Sequence, residues 1–377
     1  MINYSSQFID KNDVKAVTKA LNSKFLTTGP FVKKFEEKII KKTDSKYCTV
    51  VNSATSALHL ACKVFELKPN DYVWTSSNTF VSSANCALLC GAKIDLIDID
   101  LSTYNLDIEK LSKKLAAAKK KKKLPKILIP VHFSGYPCDL KKIYELSKKY
   151  KFKIIEDASH AFGSKYLNNK IGNCRFSDMT VFSFHPVKIF TTGEGGAITT
   201  NNYKLDARLK SLRTHGIVQK KKNTKRPWMF YQTDLGLNYR LTDIQASLGI
   251  SQLKKVNTFL KKRNKISKIY DQELKNLPIQ LPKRTNNFYS SFHLYVILLK
   301  KKSRDVLYKK LLEKGFKTNI HYIPIYRHPF FKRLNFKRKD FLNNENYFKN
   351  AISIPIAPHL TKKNIYKIIK IIKEYFS

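Results

Sequence analysis

The chain has 377 residues, of which 42% are hydrophobic and 12% aromatic, which is enough for one large folded domain and a smaller second one. A disordered basic tail is excluded, because such a tail carries few apolar residues. The N-terminus has no basic segment followed by an apolar run, and no later apolar stretch approaches 18 residues, so we expect neither secretion nor a membrane span.

The formal net charge of +44 raises the alternative of a nucleic-acid-binding protein. Of the 72 basic residues, however, 61 are lysines, and arginine is the better residue for forked recognition of phosphates and bases. The lysines are spread along the chain, and the one dense block, Lys119–Lys123 within "AAAKKKKKLP", predicts a solvated surface loop. We therefore interpret the charge as a compositional bias and expect no nucleic-acid partner.

The six cysteines show neither a C-x-x-C pair nor the spacing of zinc ligands. This pattern predicts buried, reduced thiols, which are typical of a reducing compartment. Together with the N-terminus, it predicts a cytoplasmic protein without a metal site.

The first two-thirds of the chain alternates apolar runs with helical stretches. The runs "YCTVV", "DYVWTS", "KIDLID", "KILIPVHF" and "FKIIED" are typical of strands, and stretches such as "CDLKKIYELSKKY" are typical of helices. This order predicts an α/β fold with a mostly parallel central sheet flanked by helices, over residues 1–245. In such sheets, ligands bind at the carboxyl ends of the strands.

The pattern changes after about residue 245. A long helical stretch over 242–276, which allows a break, leads to "SFHLYVILL", a further helix, "KTNIHYIPIY" and an amphipathic C-terminal helix. This order predicts a smaller α+β domain over residues 246–377.

The stretch "VVNSATSALHLA" (50–61) indicates a strand, a turn of small residues and a helix. The first N–H groups of a helix are free and favour an anion, and Ser53, Ala54 and Thr55 are small enough to let a phosphate approach. An ordinary helix cap is the alternative.

The stretch "KIIEDASHAFGS" (153–164) places Asp157 at the end of an apolar strand and His160 three residues later. A carboxylate at this position fits a catalytic or cofactor-binding role. The alternatives are a turn-capping aspartate and a core histidine.

The stretch "FSFHPVKIFTTGEGGAITT" (182–200) places Ser183 and His185 at the exit of a buried strand and Lys188 on the turn that follows. Apolar neighbours disfavour the charged form of a lysine and leave a nucleophilic amine that suits a Schiff base. In a chain with 61 lysines, an ordinary surface lysine is the alternative.

The stretch "LGLNYRLTDIQASLG" (235–249) places Asn238 and Arg240 before a helix that Thr242 or Asp243 caps, and a plain loop is the alternative. The four stretches together decide the interpretation. A phosphate cradle, a strand-end acid and an amine 31 residues later are the parts that pyridoxal phosphate (PLP) needs. The sequence therefore predicts a PLP enzyme in which Lys188 holds the cofactor.

These motifs resemble those of the DegT/StrS sugar-nucleotide aminotransferases, which have the fold-type-I aminotransferase fold. The resemblance extends from "FLTTGPFVKKFE" through "EDASHAFGS" and "NYRLTDIQASLGISQL" to "HYIPIY". Within the family, "NSATSALHLAC" and "IHYIPIY" are most similar to the UDP-4-amino-4,6-dideoxy-N-acetyl-beta-L-altrosamine transaminases of pseudaminic acid biosynthesis.

The resemblance implies catalytic roles for Lys188, Asp157 and His160, with Lys188 as the Schiff-base lysine, Asp157 at the pyridine nitrogen and His160 near the ring hydroxyl. It also implies cofactor contacts at Phe80, which stacks on the ring, and at the phosphate-binding positions Ala54, Thr55, Ser183 and Asn238. Asn238 reaches the phosphate from the other subunit, which implies a homodimer with shared active sites. The implied substrate contacts are Tyr4, Lys24, Phe25, Leu26, Thr27, Ala54, His185, Tyr322, Ile323, Pro324 and Ile325.

The implied activity is transamination of a nucleotide-linked 4-keto-6-deoxy sugar with L-glutamate as amino donor. The implied acceptor is UDP-2-acetamido-2,6-dideoxy-beta-L-arabino-hex-4-ulose, aminated at C4. One alternative is an aminotransferase that acts at C3 or on a dTDP-linked sugar. The other is a basic nucleic-acid-binding protein on an inactive aminotransferase scaffold, against which the retained Lys188, Asp157 and Ser183 argue.

Overall fold

The fold is taken from a computed structural model, which describes residues 1–219, 226 and 228–377. Its strands, in chain order, are β1 (Ile2–Asn3), β2 (Tyr47–Val51), β3 (Tyr72–Ser76), β4 (Lys93–Ile97), β5 (Pro125–Ile129), β6 (Lys153–Asp157), β7 (Lys165–Tyr166), β8 (Asn169–Lys170), β9 (Met179–Ser183), β10 (Gly196–Thr200), β11 (Ile217–Gln219), β12 (Phe230–Gln232), β13 (Ile279–Gln280), β14 (Phe288–Tyr289), β15 (Tyr295–Leu299), β16 (Phe316–Lys317) and β17 (Ala351–Ile354).

The α-helices of the same residues are α1 (Lys11–Leu21), α2 (Pro30–Thr43), α3 (Ala54–Lys63), α4 (Ser82–Leu89), α5 (Ile108–Lys120), α6 (Leu140–Tyr150), α7 (Tyr203–Leu212), α8 (Asp243–Leu274), α9 (Arg304–Glu313), α10 (Leu342–Asn350) and α11 (Lys362–Phe376).

The central sheet has the order β2-β10-β9-β6-β5-β3-β4. Strands β4, β3, β5, β6 and β9 pair in parallel, and β10 runs antiparallel between β9 and β2. Alternate residues of each strand enter different cores: Ile154 and Phe182 pack into one apolar cluster, and Ile155 and Val181 pack into the other. Helices therefore cover both faces of the sheet, and the predicted α/β fold is confirmed.

Two predictions about local structure need correction. Helix α5 continues to Lys120, so the loop predicted for "AAAKKKKKLP" is wrong for residues 116–120. Ala and Lys are good helix formers, and the repeat of like residues concealed the end of an amphipathic helix. Helix α8 runs from Asp243 to Leu274 without a break, and it begins at Thr242 with a capping box to Gln245.

The C-terminal third has its own apolar core, built from α8, α9, α11 and the sheet β13-β15-β17. The N-terminal arm joins this part, since β1 pairs in parallel with β16. The predicted boundary between residues 245 and 246 lies in the first turn of α8 and stays a prediction. In the part of the chain that the structure describes, no helix is both long and apolar enough to cross a membrane.

Candidate active site

Asp157 is a buried acid at the end of a central strand. It is the last residue of β6, and only 4% of it is exposed. One carboxylate oxygen accepts a hydrogen bond from the Ser83 hydroxyl at 2.6 Å, and the other accepts one from the backbone N–H of Ser159 at 3.0 Å. The carboxylate is therefore held in one orientation at the carboxyl edge of the parallel strands.

Ser83 was not identified from the sequence. It lies in the first turn of α4, and its oxygen is 2.8 Å from that of Thr79. Because Ser83 donates its proton to Asp157, Thr79 is the donor to Ser83. Both residues are buried, so the pair forms a relay of hydroxyl groups behind the acid. The run of small polar residues after the strand "YVWTS" was the only signal for it.

His160 is buried and lies three residues after Asp157 in the chain. Its Nδ1 accepts a hydrogen bond from the backbone N–H of Ser134 at 3.2 Å, and its Nε2 lies 3.0 Å from the hydroxyl of Tyr322. Burial, together with the charge of Lys188, lowers the pKa of His160 well below its ordinary value. The ring is therefore neutral, carries its proton on Nε2 and donates it to Tyr322.

Two further histidines surround this group, and the sequence analysis missed both. The ring of His293 lies 4.4 Å from the ring of His160, and the ring of His321 packs at an edge against Tyr322. Burial lowers the pKa of His293 well below its ordinary value and that of His321 to about 3. All three histidines are therefore neutral at neutral pH.

Lys188 lies on the turn that follows β9. Its backbone N–H donates to the carbonyl of His185 at 2.9 Å, and the next residues, Ile189 and Phe190, are buried. Burial lowers the pKa of the Lys188 amine to about 8, although the charge of Asp157 opposes the change. A minor fraction of this amine, on the order of a tenth, is thus unprotonated at pH 7, far more than for an ordinary lysine, and the unprotonated form is the nucleophile.

The start of α3 lies against the sheet near this group. Ser53 is the N-cap and accepts from the N–H of Ser56 at 3.1 Å, so the ordinary cap predicted as an alternative is present at Ser53. Among the described residues, no acceptor bonds the N–H groups of Ala54 and Thr55. A Cβ at Gly196 would lie 2.7 Å from the nitrogen of Ala54, so glycine allows β10 to approach this closely.

Two pairings join the helix start to the other predicted residues. The hydroxyl of Thr55 lies 2.8 Å from that of Ser82, the neighbour of Ser83 in α4. Ser183 pairs across the sheet with Gly196, which abuts Ala54. The predicted phosphate contacts Ala54, Thr55 and Ser183 therefore lie together at one edge of the sheet.

Two of the aromatic residues predicted at the site, Phe80 and Tyr4, pack against neighbouring residues of one segment, Tyr322 and His321. Phe80 follows β3, is 55% exposed, and its ring lies 5.9 Å from that of Tyr322. The ring of Tyr4 lies 4.9 Å from that of His321. Phe80 is therefore open for stacking.

The remaining predicted substrate residues differ in exposure. Ile323 is half-exposed and Pro324 is buried, as is Ile325, whose N–H donates to the Ser77 carbonyl at 3.4 Å. His185 is exposed, and its Nε2 lies 3.9 Å from Glu194.

Some predicted residues contact neither Lys188 nor Asp157 within the described part of this single chain. Lys24, Phe25, Leu26 and Thr27 are exposed, and the backbone of Leu26 and Thr27 bonds to the start of α8. Asn238 is also exposed, and its backbone bridges to Thr214.

These residues fit PLP. A buried carboxylate needs a cationic partner, which the ring nitrogen of the cofactor would supply, and the unbonded N–H groups at the start of α3 would receive its phosphate. Lys188 would hold the aldehyde carbon. In the described ranges no group of three or more His, Cys, Asp or Glu side chains could hold a metal ion.

The fold and this site define a PLP-dependent aminotransferase. The chain belongs to the DegT/DnrJ/EryC1/StrS aminotransferase family, which matches residues 7–373. It is 41% identical over 368 residues, 97% of this chain and 94% of the relative, to the UDP-4-amino-4,6-dideoxy-N-acetyl-beta-L-altrosamine transaminase of Campylobacter jejuni subsp. jejuni serotype O:23/36 (strain 81-176).

Solved structures agree with this assignment. Helicobacter pylori PseC, an aminotransferase involved in the biosynthesis of pseudoaminic acid, superposes with a TM-score of 0.92 at 32% identity, covering 99% of this chain and 98% of that one. The PLP form of Spr1654 from Streptococcus pneumoniae superposes with a TM-score of 0.90 at 28% identity, covering 99% of each chain. The predicted family, enzyme class and cofactor are confirmed, and the protein is a PLP-dependent sugar aminotransferase.

Proposed function

We propose that this enzyme transfers the amino group of L-glutamate to C4 of UDP-2-acetamido-2,6-dideoxy-beta-L-arabino-hex-4-ulose, a step of pseudaminic acid biosynthesis. The transfer chemistry is supported by one observation above all: Lys188 is a partly buried amine whose pKa is lowered to about 8, and the fixed carboxylate of Asp157 lies close enough for its charge to act on this amine. The choice of sugar is supported by the Campylobacter relative, which is named for the aminated form of this sugar.

The residues of the chain divide the work. The cofactor, when bound, withdraws electrons from the carbon that carries the amino group. Asp157 would hold the ring nitrogen of the cofactor, and the hydrogen bonds from Ser83 and Ser159 keep its carboxylate in one orientation. Lys188 moves protons at the reacting carbon, because a group with a pKa near the working pH both accepts and releases them.

His160 and Tyr322 form a second hydrogen-bonded pair of the site. Neutral His160 donates to the oxygen of Tyr322, which directs the hydroxyl proton of Tyr322 away from the histidine. We expect Tyr322, with Tyr4, to face the sugar nucleotide, because both pack against His321. The six cysteines are unpaired, five of them buried, which supports the proposal that the enzyme works in the cytoplasm.

The substrate is tested with purified enzyme, isotope-labelled L-glutamate and a panel of UDP- and dTDP-linked keto sugars, followed by mass spectrometry. We expect label in the UDP-linked 4-keto sugar, and NMR of the product should place nitrogen at C4. Preferred labelling of a dTDP sugar, or amination at C3, would contradict the proposed acceptor but leave the class intact. As the control, Lys188→Ala should fold and bind the cofactor without sustaining turnover.

We also propose a homodimer with shared sites, because Asn238 is exposed and, among the described residues, bridges through its backbone to Thr214 and not to Lys188 or Asp157. Lys188→Ala would disable its own site and Asn238→Ala its partner's, so a mixed dimer of the two would hold one intact site. Two affinity tags establish that heterodimers form. Heterodimers as inactive as either parent would show that Asn238 acts within its own chain.

A further inference from the structure

Arg263 is a buried cation without a buried acid. It lies on α8 and is completely buried. Within the described residues no carboxylate forms an ion pair with it, and burial alone lowers its pKa to about 10. Burying a charge without a counterion is costly, so an arginine at such a position needs a structural or functional reason.

Its hydrogen bonds join separate segments of the chain. Nη1 donates to the carbonyls of Phe292 at 3.2 Å, His293 at 3.1 Å and Ile356 at 2.7 Å. Nη2 donates to the hydroxyl of Ser5 in the N-terminal arm at 3.0 Å. The guanidinium thus fixes the arm to the loop before β15 and to the chain after β17.

Ser5 extends this connection to the catalytic loop. Its hydroxyl accepts from Arg263 and donates to the carbonyl of Val187, the residue before Lys188, at 2.9 Å. A small cavity of about 10 Å³ is lined by Arg263, Lys188 and Ser6, among other residues. Ser5 is only 2% exposed, so water has little access to replace its hydrogen bonds if the hydroxyl is lost.

The neighbouring residue of the arm faces the proposed sugar-nucleotide site. The carbonyl of Tyr4 accepts from the N–H of Ile356 at 2.9 Å, and its ring packs on His321. Consecutive residues of the arm therefore contact His321 and the lysine loop.

We propose that Ser5 is a positioning residue for Lys188, that Arg263 anchors it, and that the arm thereby couples occupation of the sugar-nucleotide site to the placement of the lysine. The inference rests on the proposed role of Lys188. It predicts that loss of the Ser5 hydroxyl frees the loop at residues 187 and 188, so that Lys188 is presented less precisely and is less shielded from water.

The test compares Ser5→Ala and Ser5→Thr with Ser6→Ala in the holoenzyme. Ser6 is the matched control, because it neighbours Ser5 but its hydroxyl faces His359. For Ser5→Ala we expect kcat to fall about three- to tenfold, the effect of one hydrogen bond, with little change in KM for L-glutamate. The pH midpoint of the cofactor absorbance should rise, because a more hydrated Lys188 nitrogen keeps its proton to higher pH. Ser5→Thr should restore both values, and Ser6→Ala should change neither.

Unchanged kcat and an unchanged midpoint in Ser5→Ala would overturn the proposal. A lower melting temperature with an unmoved midpoint would also overturn it, because it would show a role in stability alone. Should Ser5→Ala fail to fold, Arg263→Lys replaces it in the test, because lysine keeps the charge but cannot bond four oxygens. A raised pH midpoint in this variant would support the proposal, and an unchanged midpoint would overturn it. A failure of the proposed role of Lys188 is distinguishable, since Lys188→Ala would then sustain turnover whatever the result at Ser5.

Discussion

Replacement of Lys188 by methionine should stabilise the cofactor-free protein. Burial lowers the pKa of this amine from 10.5 to about 8, so the folded state holds its proton less tightly than the unfolded chain does. At about 1.4 kcal/mol for each tenfold change in proton affinity, the protonated amine costs the folded state about 3 kcal/mol. Methionine has a similar shape and carries no charge, so it removes this cost.

The gain in stability from Lys188→Met should depend on pH, because the cost that it removes comes from the protonation of this amine. Below pH 8 the lysine is protonated in both states, and the whole cost is present. As the pH rises from 8 to 10.5, the folded state has lost the proton while the unfolded chain still holds it, and the cost disappears. The advantage of Lys188→Met should therefore be about 3 kcal/mol near neutral pH and close to zero above pH 10.5.

The assay is urea unfolding of the cofactor-free protein, followed by circular dichroism near pH 7 and near pH 10.5. Lys33→Met, at an exposed position of α2, is the control for loss of a lysine as such and should change stability little. The reasoning is refuted if Lys188→Met is no more stable than the wild type near pH 7. It is equally refuted if the gain is the same at both pH values, since the gain would then come from packing and not from charge.

Three further predictions concern the carboxylate and the surface charge. Asp157→Asn keeps the size of the side chain but removes the anion, so the transamination rate should fall by on the order of a hundredfold or more while cofactor affinity falls less; an unchanged rate would mean that another acid serves the ring nitrogen. Ser83→Ala removes the 2.6 Å hydrogen bond to Asp157 and should slow turnover about tenfold, with Ser83→Thr closer to wild type in the same assay; a loss of cofactor affinity at a normal rate would contradict the orienting role. Any RNA binding by this chain of net charge +44 should be weak in a gel-shift assay and lost at moderate salt; tight, sequence-selective binding at physiological salt would favour the nucleic-acid alternative.

The central sheet could be predicted because its longer strands are short runs of apolar residues that are recognisable from local sequence. β9 reads as five consecutive apolar or small residues, and all five are buried. The pairing of β1 with β16 could not be predicted, since two residues carry no periodic pattern and their partner lies about 310 positions further along the chain. The end of α5 was also missed, because a run of identical lysines has no hydrophobic period that would indicate a helix.

The site, too, contains residues that could be predicted from the sequence and residues that could not. Asp157 and Lys188 could be predicted because the first ends a mostly apolar strand and the second lies on the turn after one, where a charged side chain is unexpected. Ser83 and Ser5 are invisible, because one serine among many carries no signal until the fold places an acid or a carbonyl beside it. The role of such a residue depends on which segments lie next to it in the fold, and a single sequence does not reveal which segments are neighbours.

The histidines show what the fold adds to the chemistry. From the sequence, His160, His293 and His321 would be candidates for acid–base catalysis, because an ordinary imidazole titrates near neutral pH. In the structure each is buried, and the charge of Lys188 acts on each, so both effects disfavour protonation of all three rings. Neutral rings can still donate and accept hydrogen bonds, as His160 does with Tyr322 and Ser134. Among these four groups the amine of Lys188 has the pKa closest to neutral pH, so we expect this amine to move the proton and the neutral histidines to direct hydroxyl groups around it.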